Sequence, residues 1–311
     1  MKQYAAPLEY MPHIREKYSA LGYEPYQWVV NENPSPLHPL PRCLKECRVA
    51  LAASGGIYQA GQKAFHFRDD TSFRMIPKDV DPSDLRVTHF AYDPTEARRD
   101  PNLVLPVNTL CRLESEGIIG RLIDPLFSFM GGIYSSRRVL EELAPAMIRH
   151  MAEMDADALL LVPITPVCHQ TAGLVARYAE ARGISTVCLS NVYDVTCSVN
   201  PPRAAFVDFP MGYVAGKPGR PELQYRIIRN ALELLNESDR SGRIEILPFR
   251  WDRNDLWKNN ALKTGDQRRK RTNVPQYQCE EDRLLAENSS GGRGAGEPAE
   301  NPDINRAATP G

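Results

Sequence analysis

The stretch Ala158-Leu159-Leu160-Leu161-Val162-Pro163, which is followed by Thr186-Val187-Cys188-Leu189, decides the fold class of this chain. Both runs are apolar without alternation, which is typical of strands buried on both faces of a parallel sheet. Between them lie a predicted loop to Thr171 and a predicted helix to Arg182. This is a βαβ unit with a crossover of ordinary length. Residues 165–171 follow the first strand and therefore border the expected ligand crevice.

Strand-like and helix-like segments continue on both sides of this unit. Short apolar or alternating runs predict strands over Arg48–Ala53, Leu85–Phe90, Ala204–Val207 and, at an edge, Ile244–Phe249. Apolar residues at helical spacing predict helices over Val107–Glu116, Ser135–Met154 and Pro221–Leu235. We therefore expect an α/β fold with a mostly parallel sheet and flanking helices, arranged as one unit or as two Rossmann-like halves.

The chain divides by composition into an arm, a domain and a tail. Residues 1–41 begin with a helix-like stretch around His13–Leu21 and end in a proline-rich segment that excludes helix, so we expect an arm laid over the core. Residues 42–256 form the predicted α/β domain. In residues 257–311 the apolar pattern fails, with a charge run at 267–271, and we expect a disordered tail.

Charge and hydropathy exclude several classes of partner. The chain of 311 residues has 38 Lys and Arg against 39 Asp and Glu, which gives no long-range field to attract nucleic acid or an anionic membrane. No apolar run approaches the roughly 20 residues that span a bilayer, and the N-terminus has no apolar signal segment. We expect a cytoplasmic protein with small-molecule or protein partners. Its seven scattered cysteines are interpreted as reduced thiols.

Two groups of residues are candidates for chemistry. Cys168-His169 follows the first strand of the βαβ unit, where a thiolate would be stabilised by the next helix's N-terminal dipole and by the imidazole. The alternative is a half-buried cysteine that happens to precede a solvent-facing histidine. The second group is the polar loop 89–100, which offers a general base beside cations that suit a carboxylate. Polar loops commonly have this composition without a function.

No cofactor or metal site is predicted. Gly55-Gly56 and Gly61 lack the G-x-G-x-x-G order of a dinucleotide loop. Cys43 and Cys47 would share one helix face, but no second Cys or His pair stands nearby to complete a zinc site.

Three stretches together resemble one family, the selenoprotein B subunits of the glycine, sarcosine, betaine and D-proline reductases. The first runs from His89 through Tyr92-Asp93-Pro94-Thr95, Asp100-Pro101-Asn102 and Leu105-Pro106-Val107 to Leu113-Glu114-Ser115-Glu116-Gly117-Ile118-Ile119-Gly120. The second is the βαβ unit from Asp157 to Ile184, and the third runs from Phe209-Pro210-Met211-Gly212 to Gly216-Lys217-Pro218-Gly219. The resemblance spans residues 48–236.

The resemblance implies a reductase-like subunit that acts on an amino acid or related small amine. It implies partner reductase subunits, an oligomer, and no bound cofactor, with electrons from a dithiol or from a protein donor. Counted from Asp157, the family's selenocysteine falls near Thr165, its middle cysteine at Cys168 and its last cysteine at Thr171. The chain is thus expected to be a homologue without selenocysteine.

Cys168 is the expected nucleophile, because a threonine hydroxyl is not ionised at neutral pH. The catalytic residues implied are Cys168, His169 and Thr165, and the substrate-binding residues implied are His89, Tyr92, Asp93, Arg98 and Asn102. Without a local second thiol, a dithiol cycle would need Cys188, Cys197 or another protein.

Two other functions are compatible with the same residues. One is a non-redox binding or partner protein that kept the fold after the selenium chemistry lapsed, as Thr165 and Thr171 suggest. The other is a cysteine hydrolase that pairs Cys168 with His169 or His89, although the sequence shows no orienting carboxylate and no oxyanion loop.

Overall fold

Parallel strands form the centre of the molecule. The computed structural model describes residues 5–20, 22, 24–237, 240–262 and 269–289. Its strands are β1 Arg48–Ser54, β2 Ile57–Gln59, β3 Phe73–Ile76, β4 Leu85–Val87, β5 Arg121–Leu122, β6 Leu126–Phe129, β7 Ala158–Val162, β8 Ser185–Ser190, β9 Arg203–Asp208 and β10 Arg243–Arg250. Eight of them form one sheet in the order β10-β9-β8-β7-β1-β6-β3, with β5 beside β1. Only β3 runs antiparallel to its neighbour in the part of the sheet described. The predicted α/β class with a mostly parallel sheet is confirmed.

Helices cover both faces of this sheet. They are α1 Tyr10–Ala20, α2 Thr95–Arg99, α3 Val107–Ser115, α4 Ser136–Arg138, α5 Ala144–Glu153, α6 Pro166–Glu180, α7 Tyr193–Val199, α8 Pro221–Glu237, α9 Lys258–Ala261 and α10 Glu280–Ser289. Side chains of β1 alternate between two cores. Val49 and Leu51 pack with the buried faces of α3 and α8, whereas Ala50 and Ala52 pack with those of α5 and α6. No helix among the described residues is both long and apolar enough to cross a membrane.

Helix α6 begins earlier than the sequence predicted. The loop expected to reach Thr171 ends at Thr165, because Pro166 occupies the first helical position, where its fixed φ is favourable and its missing N–H costs nothing. Cys168 and Thr171 therefore lie in the first two turns of the helix and not in a loop.

The long helix predicted over Ser135–Met154 is interrupted. A π-helical segment, Val139–Leu143, separates α4 from α5. Pro145 has no N–H to offer to the carbonyl four residues earlier, and the Ala144 amide bonds to the carbonyl of Val139 instead. The strand predicted over Leu85–Phe90 is also shorter: β4 ends at Val87 and pairs antiparallel with β2 in a separate ribbon. The chain beyond Val87 is therefore not part of a strand, and it leads to the carboxyl ends of the parallel strands.

Part of the predicted disordered tail has ordered contacts. Residues 280–289 form α10, where Asp282 is buried and accepts a hydrogen bond from Arg86 at 2.8 Å. Gln278 accepts one from the Val87 amide at 3.0 Å. This segment is polar in composition, but it completes the hydrogen bonding of the β2–β4 ribbon. The remainder of the predicted tail, residues 263–268 and 290–311, lies outside the described residues.

The N-terminal segment follows the outer surface of the sheet's crossover helices. The Val29 amide donates to Gln170 on α6 at 2.8 Å, and Asn31 donates to the Val199 carbonyl at the end of α7 at 2.8 Å. These contacts suit the arm expected for residues 1–41, although the division into arm, domain and tail stays a prediction.

Candidate active site around Cys168

Cys168 lies where several parallel strands end. It is in the first turn of α6, directly beyond the C-terminal end of β7, and its side chain is fully buried. Thr165 stands at the N-cap position, but its hydroxyl does not cap the helix; Oγ1 lies 3.0 Å from Cys168 Sγ. Ser54, the last residue of β1, also hydrogen-bonds the thiol and accepts from the Ile164 amide at 3.1 Å. The sheet edge thus surrounds the sulfur with hydroxyl groups.

The histidine beside the thiol is His89. Its Nε2 lies 3.6 Å from Cys168 Sγ, and its Nδ1 accepts a hydrogen bond from the Ala91 amide at 3.0 Å. Since the amide must donate, the ring proton is on Nε2, where it can be donated to the sulfur or to the Met130 carbonyl. Burial lowers the pKa of His89 to about 3. His89 is therefore a neutral hydrogen-bond donor, and in this arrangement it cannot accept the thiol proton.

His169, which the sequence analysis pairs with Cys168, has a different position. Its Nδ1 lies 2.7 Å from the Thr165 carbonyl, and its Nε2 accepts from the Asn191 amide at 3.2 Å. Both ring nitrogens are thus used to join the start of α6 to the loop after β8. Burial lowers the pKa of His169 to about 4. The structure brings His89, not His169, to the sulfur.

The electrostatics of the site differ from the sequence expectation. Burial raises the pKa of the Cys168 thiol, and hydrogen bonds from Ser54 and Thr165 offset this only in part. A helix N-terminus stabilises an anion by about 0.3–1 kcal/mol, less than the roughly 1.4 kcal/mol of one pKa unit, whereas full burial shifts a pKa by several units. Desolvation therefore outweighs the helix dipole, and the thiol is protonated at neutral pH.

The chain that follows β6 covers another side of the site. After β6 the chain passes through Gly131, whose φ is +73°; a Cβ there would lie 2.4 Å from Ser54 Cβ and 2.9 Å from Cys168 Sγ. Thr171 donates from Oγ1 to the Gly131 carbonyl at 2.7 Å. Sequence reasoning missed Ser54, Met130 and Gly131. The signal was available, since Ser54-Gly55-Gly56 and Met130-Gly131-Gly132 both follow apolar strands, and parallel strand ends meet at one edge of a sheet.

The predicted substrate-binding loop separates into two parts. Tyr92 joins His89 near the thiol: the two rings are 5.2 Å apart, and the buried Tyr92 hydroxyl has no hydrogen-bond partner among the described residues. Burial and, secondarily, the charge of an ionised Cys168 raise the pKa of Tyr92. The other members hold the loop itself.

Those other members are Asp93, Arg98 and Asn102. Asp93 accepts from the Thr95 amide at 3.0 Å and lowers the cost of starting α2. Arg98 donates twice to the Val87 carbonyl, at 3.1 and 3.0 Å. Asn102 accepts from the Asn108 amide at 3.0 Å. Each is engaged by backbone groups, so the structure gives them positioning contacts and does not bring them to Cys168.

The cysteines suggested as second thiols are not paired with Cys168. All seven cysteines are free, and Cys168 contacts Thr165, His89, Ser54 and Met130. Cys188 is buried with its Sγ 3.9 Å from the Ala172 carbonyl, and Cys197 is exposed. No group of three or more possible metal ligands occurs in the described part of the chain. The hydrolase alternative also loses support, because His89 Nδ1 accepts an amide where a triad histidine would donate to a carboxylate.

Comparisons with known proteins identify the family. Residues 32–164 match the profile of the glycine/sarcosine/betaine reductase selenoprotein B family. The chain is 34% identical over 213 residues to D-proline reductase subunit gamma of Acetoanaerobium sticklandii, covering 68% of this chain and 88% of that protein. It is 26% identical over 213 residues to glycine reductase complex component B subunit gamma of Symbiobacterium thermophilum, covering 64% of this chain and 48% of that protein.

Another relative is sarcosine reductase complex component B subunit beta of Peptoclostridium acidaminophilum, 24% identical over 64% of this chain and 48% of that protein. The chain thus spans most of the D-proline reductase subunit but about half the length of the glycine and sarcosine reductase subunits. No solved structure matches it. On the extent of the match to the D-proline reductase subunit and on the family profile, this chain belongs to the glycine/sarcosine/betaine reductase selenoprotein B family.

Proposed function

We propose that this chain is the substrate-handling subunit of an amino-acid reductase complex, with the Cys168 thiol as its nucleophile. The observation that carries the proposal is the convergence of Thr165 Oγ1 and His89 Nε2 on Cys168 Sγ, at 3.0 and 3.6 Å. These groups meet at the carboxyl ends of parallel strands, where open α/β sheets bind their ligands. The relatives are named as subunits of D-proline, glycine and sarcosine reductases, which supports an amino acid or related amine as substrate.

The groups around the sulfur stabilise a thiolate once one forms. His89 carries its proton on Nε2 and donates toward the sulfur without contributing a charge. The Thr165 and Ser54 hydroxyls are also neutral donors. Because burial raises the pKa of Cys168, ionisation has to accompany substrate entry, when a cationic amine would supply the missing positive charge. The resting site is then inert toward stray electrophiles.

The reaction proposed is reductive cleavage of a C–N bond. Cys168 Sγ attacks the carbon that carries nitrogen, a C–S bond forms, and the nitrogen leaves with the C–N electron pair and a proton. A second thiol then attacks Sγ, so that a disulfide forms while the carbon takes the C–S electron pair and a proton. That thiol comes from a partner protein in this proposal, since no cysteine contacts Cys168 among the described residues.

The decisive experiment replaces Cys168 by Ser, with Cys197→Ser as a matched control at an exposed cysteine. Release of the reduced product from D-proline, glycine, sarcosine and betaine is measured with the partner subunits and dithiothreitol. Cys168→Ser should lower turnover by at least about a hundredfold, because an alcohol is not ionised at neutral pH. Cys197→Ser should have little effect. Full turnover by Cys168→Ser would refute the thiol mechanism.

Alkylation by iodoacetamide tests the same thiol without a known substrate. We expect Cys168 in the folded protein to react at pH 7 far more slowly than the exposed Cys197, and its rate to rise as the pH passes above 9. Peptide mass spectrometry separates the two sites. A Cys168 that reacts faster than Cys197 at pH 7 would show that desolvation does not control this thiol.

A second candidate function is a non-redox binding subunit of such a complex. The observation in its favour is the same buried, protonated Cys168, which has no second cysteine in contact. In that case Cys168→Ser leaves both assembly with the partner subunits and complex activity unchanged. Under the main proposal assembly persists and activity is lost. Measuring both quantities on one variant therefore separates the two functions.

A further inference from the structure

The hydroxyl of Tyr92 is buried near the thiol and has no hydrogen-bond partner among the described residues. The proposed reaction needs a proton at the substrate carbon in the step that breaks the C–S bond. We infer that Tyr92 donates that proton from its Oη atom. The inference rests on the function proposed above, because it assigns the acid of that reaction.

The ends of three parallel strands fix the orientation of the Tyr92 side chain. A Cβ added at Gly212, which follows β9, would lie 3.5 Å from Tyr92 Cδ2. A Cβ added at Gly55, which follows β1, would lie 3.7 Å from Tyr92 Oη and 3.2 Å from Cγ1 of Ile164, just after β7. One edge of the ring therefore lies near the end of β9, and the hydroxyl reaches the end of β1.

This orientation places the hydroxyl next to the groups that surround the sulfur. Ser54, which precedes Gly55, hydrogen-bonds the Cys168 thiol. The Tyr92 ring centroid is 5.2 Å from that of His89, whose Nε2 lies 3.6 Å from Cys168 Sγ. Of the charges that raise the pKa of Tyr92, that of an ionised Cys168 has the largest effect. A substrate carbon bonded to Sγ therefore has the Tyr92 hydroxyl as a neighbour.

The other donors around the sulfur are already engaged with it. Thr165 Oγ1 lies 3.0 Å from Sγ, the Ser54 hydroxyl bonds the thiol, and His89 directs its Nε2 proton toward the sulfur. Loss of that proton would leave His89 as an anionic imidazolate. A phenol is a stronger acid than an aliphatic alcohol, and burial raises the pKa of Tyr92, so the phenol stays protonated until a strong base forms beside it.

The departing carbon is that strong base. Cys168 is fully buried, so bulk water does not reach the carbon to protonate it. In the step that we infer, the sulfur of the second thiol bonds to Cys168 Sγ, while the C–S electron pair and the Tyr92 proton go to the carbon. The phenolate then takes up the proton that the second thiol lost. One S–S bond and one C–H bond form, and one C–S bond and one S–H bond break.

The test is Tyr92→Phe in the complex with the partner subunits, with Tyr213→Phe as a matched control. Tyr213 is half-buried, and its ring packs 4.8 Å from that of Trp251. D-proline, glycine, sarcosine and betaine are supplied with dithiothreitol. Tyr92→Phe should lower the formation of reduced product by about a hundredfold to ten-thousandfold. C–N cleavage should continue, so a substrate adduct should accumulate on Cys168, and peptide mass spectrometry detects it. Tyr213→Phe should behave as the wild type does.

Urea denaturation separates a chemical role of the hydroxyl from a structural one. Because the hydroxyl has no partner in the described structure, Tyr92→Phe should unfold at the wild-type midpoint or above it. A lower midpoint together with lost activity would make Tyr92 a structural residue and overturn the inference.

Three kinetic outcomes distinguish this inference from the proposed function. Product formation by Tyr92→Phe within about threefold of the wild type would overturn the inference and leave the thiol mechanism intact. Loss of both the adduct and the product would place Tyr92 in substrate binding and would also overturn it. A wild-type complex that turns over without any adduct on Cys168 would refute the thiol mechanism, and the inference with it.

Discussion

The loop of residues 89–102 contributes to two sites whose polar groups are arranged differently. Its first residues, His89 and Tyr92, go to the thiol site, where the Tyr92 hydroxyl is buried without a partner in the described structure. Its later residue Asp100 goes to a groove between α3 and α8, where it accepts from the Gly219 amide at 2.9 Å and from Gln224 at 2.8 Å.

This difference indicates which residues of the loop, among those that resemble the family motif, are arranged for chemistry. In the groove the polar groups named here satisfy one another, so they hold the segment before α8 against the loop. At the thiol site, one neutral histidine, His89, and the Tyr92 hydroxyl, which has no partner among the described residues, lie near one buried sulfur. Natural proteins keep unsatisfied buried groups at few places, and such places are commonly functional sites. Of the two sites, the thiol site is the one where a buried hydroxyl, that of Tyr92, has no hydrogen-bond partner among the described residues.

Lowering the pH should give the largest of the predicted effects, because it acts on two buried histidines, His89 and His169. The folded-state pKa values of His89 and His169, about 3 and about 4, lie below the ordinary value of 6.5. Between these pH values the unfolded chain therefore binds protons that the folded chain does not bind. Each histidine should leave stability unaffected above pH 6.5 and lower it by about 1.4 kcal/mol per pH unit as the pH falls from 6.5 toward 4. Urea denaturation at several pH values measures this slope.

The variant His169→Gln isolates that effect from buried carboxyl groups, since it removes one titrating ring. The slope of unfolding free energy against pH should decrease by about 1.4 kcal/mol per unit relative to the wild type. An unchanged slope would mean that His169 is accessible to protons in the folded state.

A pair of glycine substitutions compares packing at the two places. Gly131 and Gly219 both have positive φ, +73° and +64°, but a Cβ at Gly131 would meet Ser54 at 2.4 Å, whereas at Gly219 nothing lies within 4 Å. Gly219→Ala should cost about 1 kcal/mol for its backbone conformation, and Gly131→Ala about 3 kcal/mol, because overpacking is added. Urea denaturation of both variants gives the two values. Equal losses would show that the chain above Cys168 moves freely enough to admit a methyl group.

The smallest effect is expected from Asp100→Asn in the groove. Asp100 accepts with both carboxylate oxygens, one from the Asn102 amide and the other from Gly219 and Gln224. Asparagine keeps only one acceptor oxygen, so one of these two sets of hydrogen bonds is lost, which should cost about 1 kcal/mol. Alkylation of Cys168 should proceed at the wild-type rate. A changed alkylation rate would show that the groove and the thiol site are coupled, contrary to their separation here.

Local sequence patterns were sufficient to predict the helices and strands, but not to predict which groups bond to each other. The apolar runs of β7 and β8 and the amphipathic α8 follow from residues close in sequence, so periodicity predicts them. The early start of α6 required only the recognition of Pro166 as a first helical residue. The π-helical segment at Val139–Leu143 depends on where the hydrogen bonds displaced by Pro145 are remade, which periodicity does not report.

The sequence by itself determined the α/β class, the position of Cys168 after a buried strand and the resemblance to a reductase family. Only the tertiary structure decided that the sulfur meets His89, which is 79 residues away in the chain, and not the adjacent His169. Neighbouring side chains on a helix point in different directions, whereas the ends of parallel strands gather distant segments at one edge. Only the tertiary structure, too, decided the ionisation of Cys168, because burial is set by every segment that covers the sulfur.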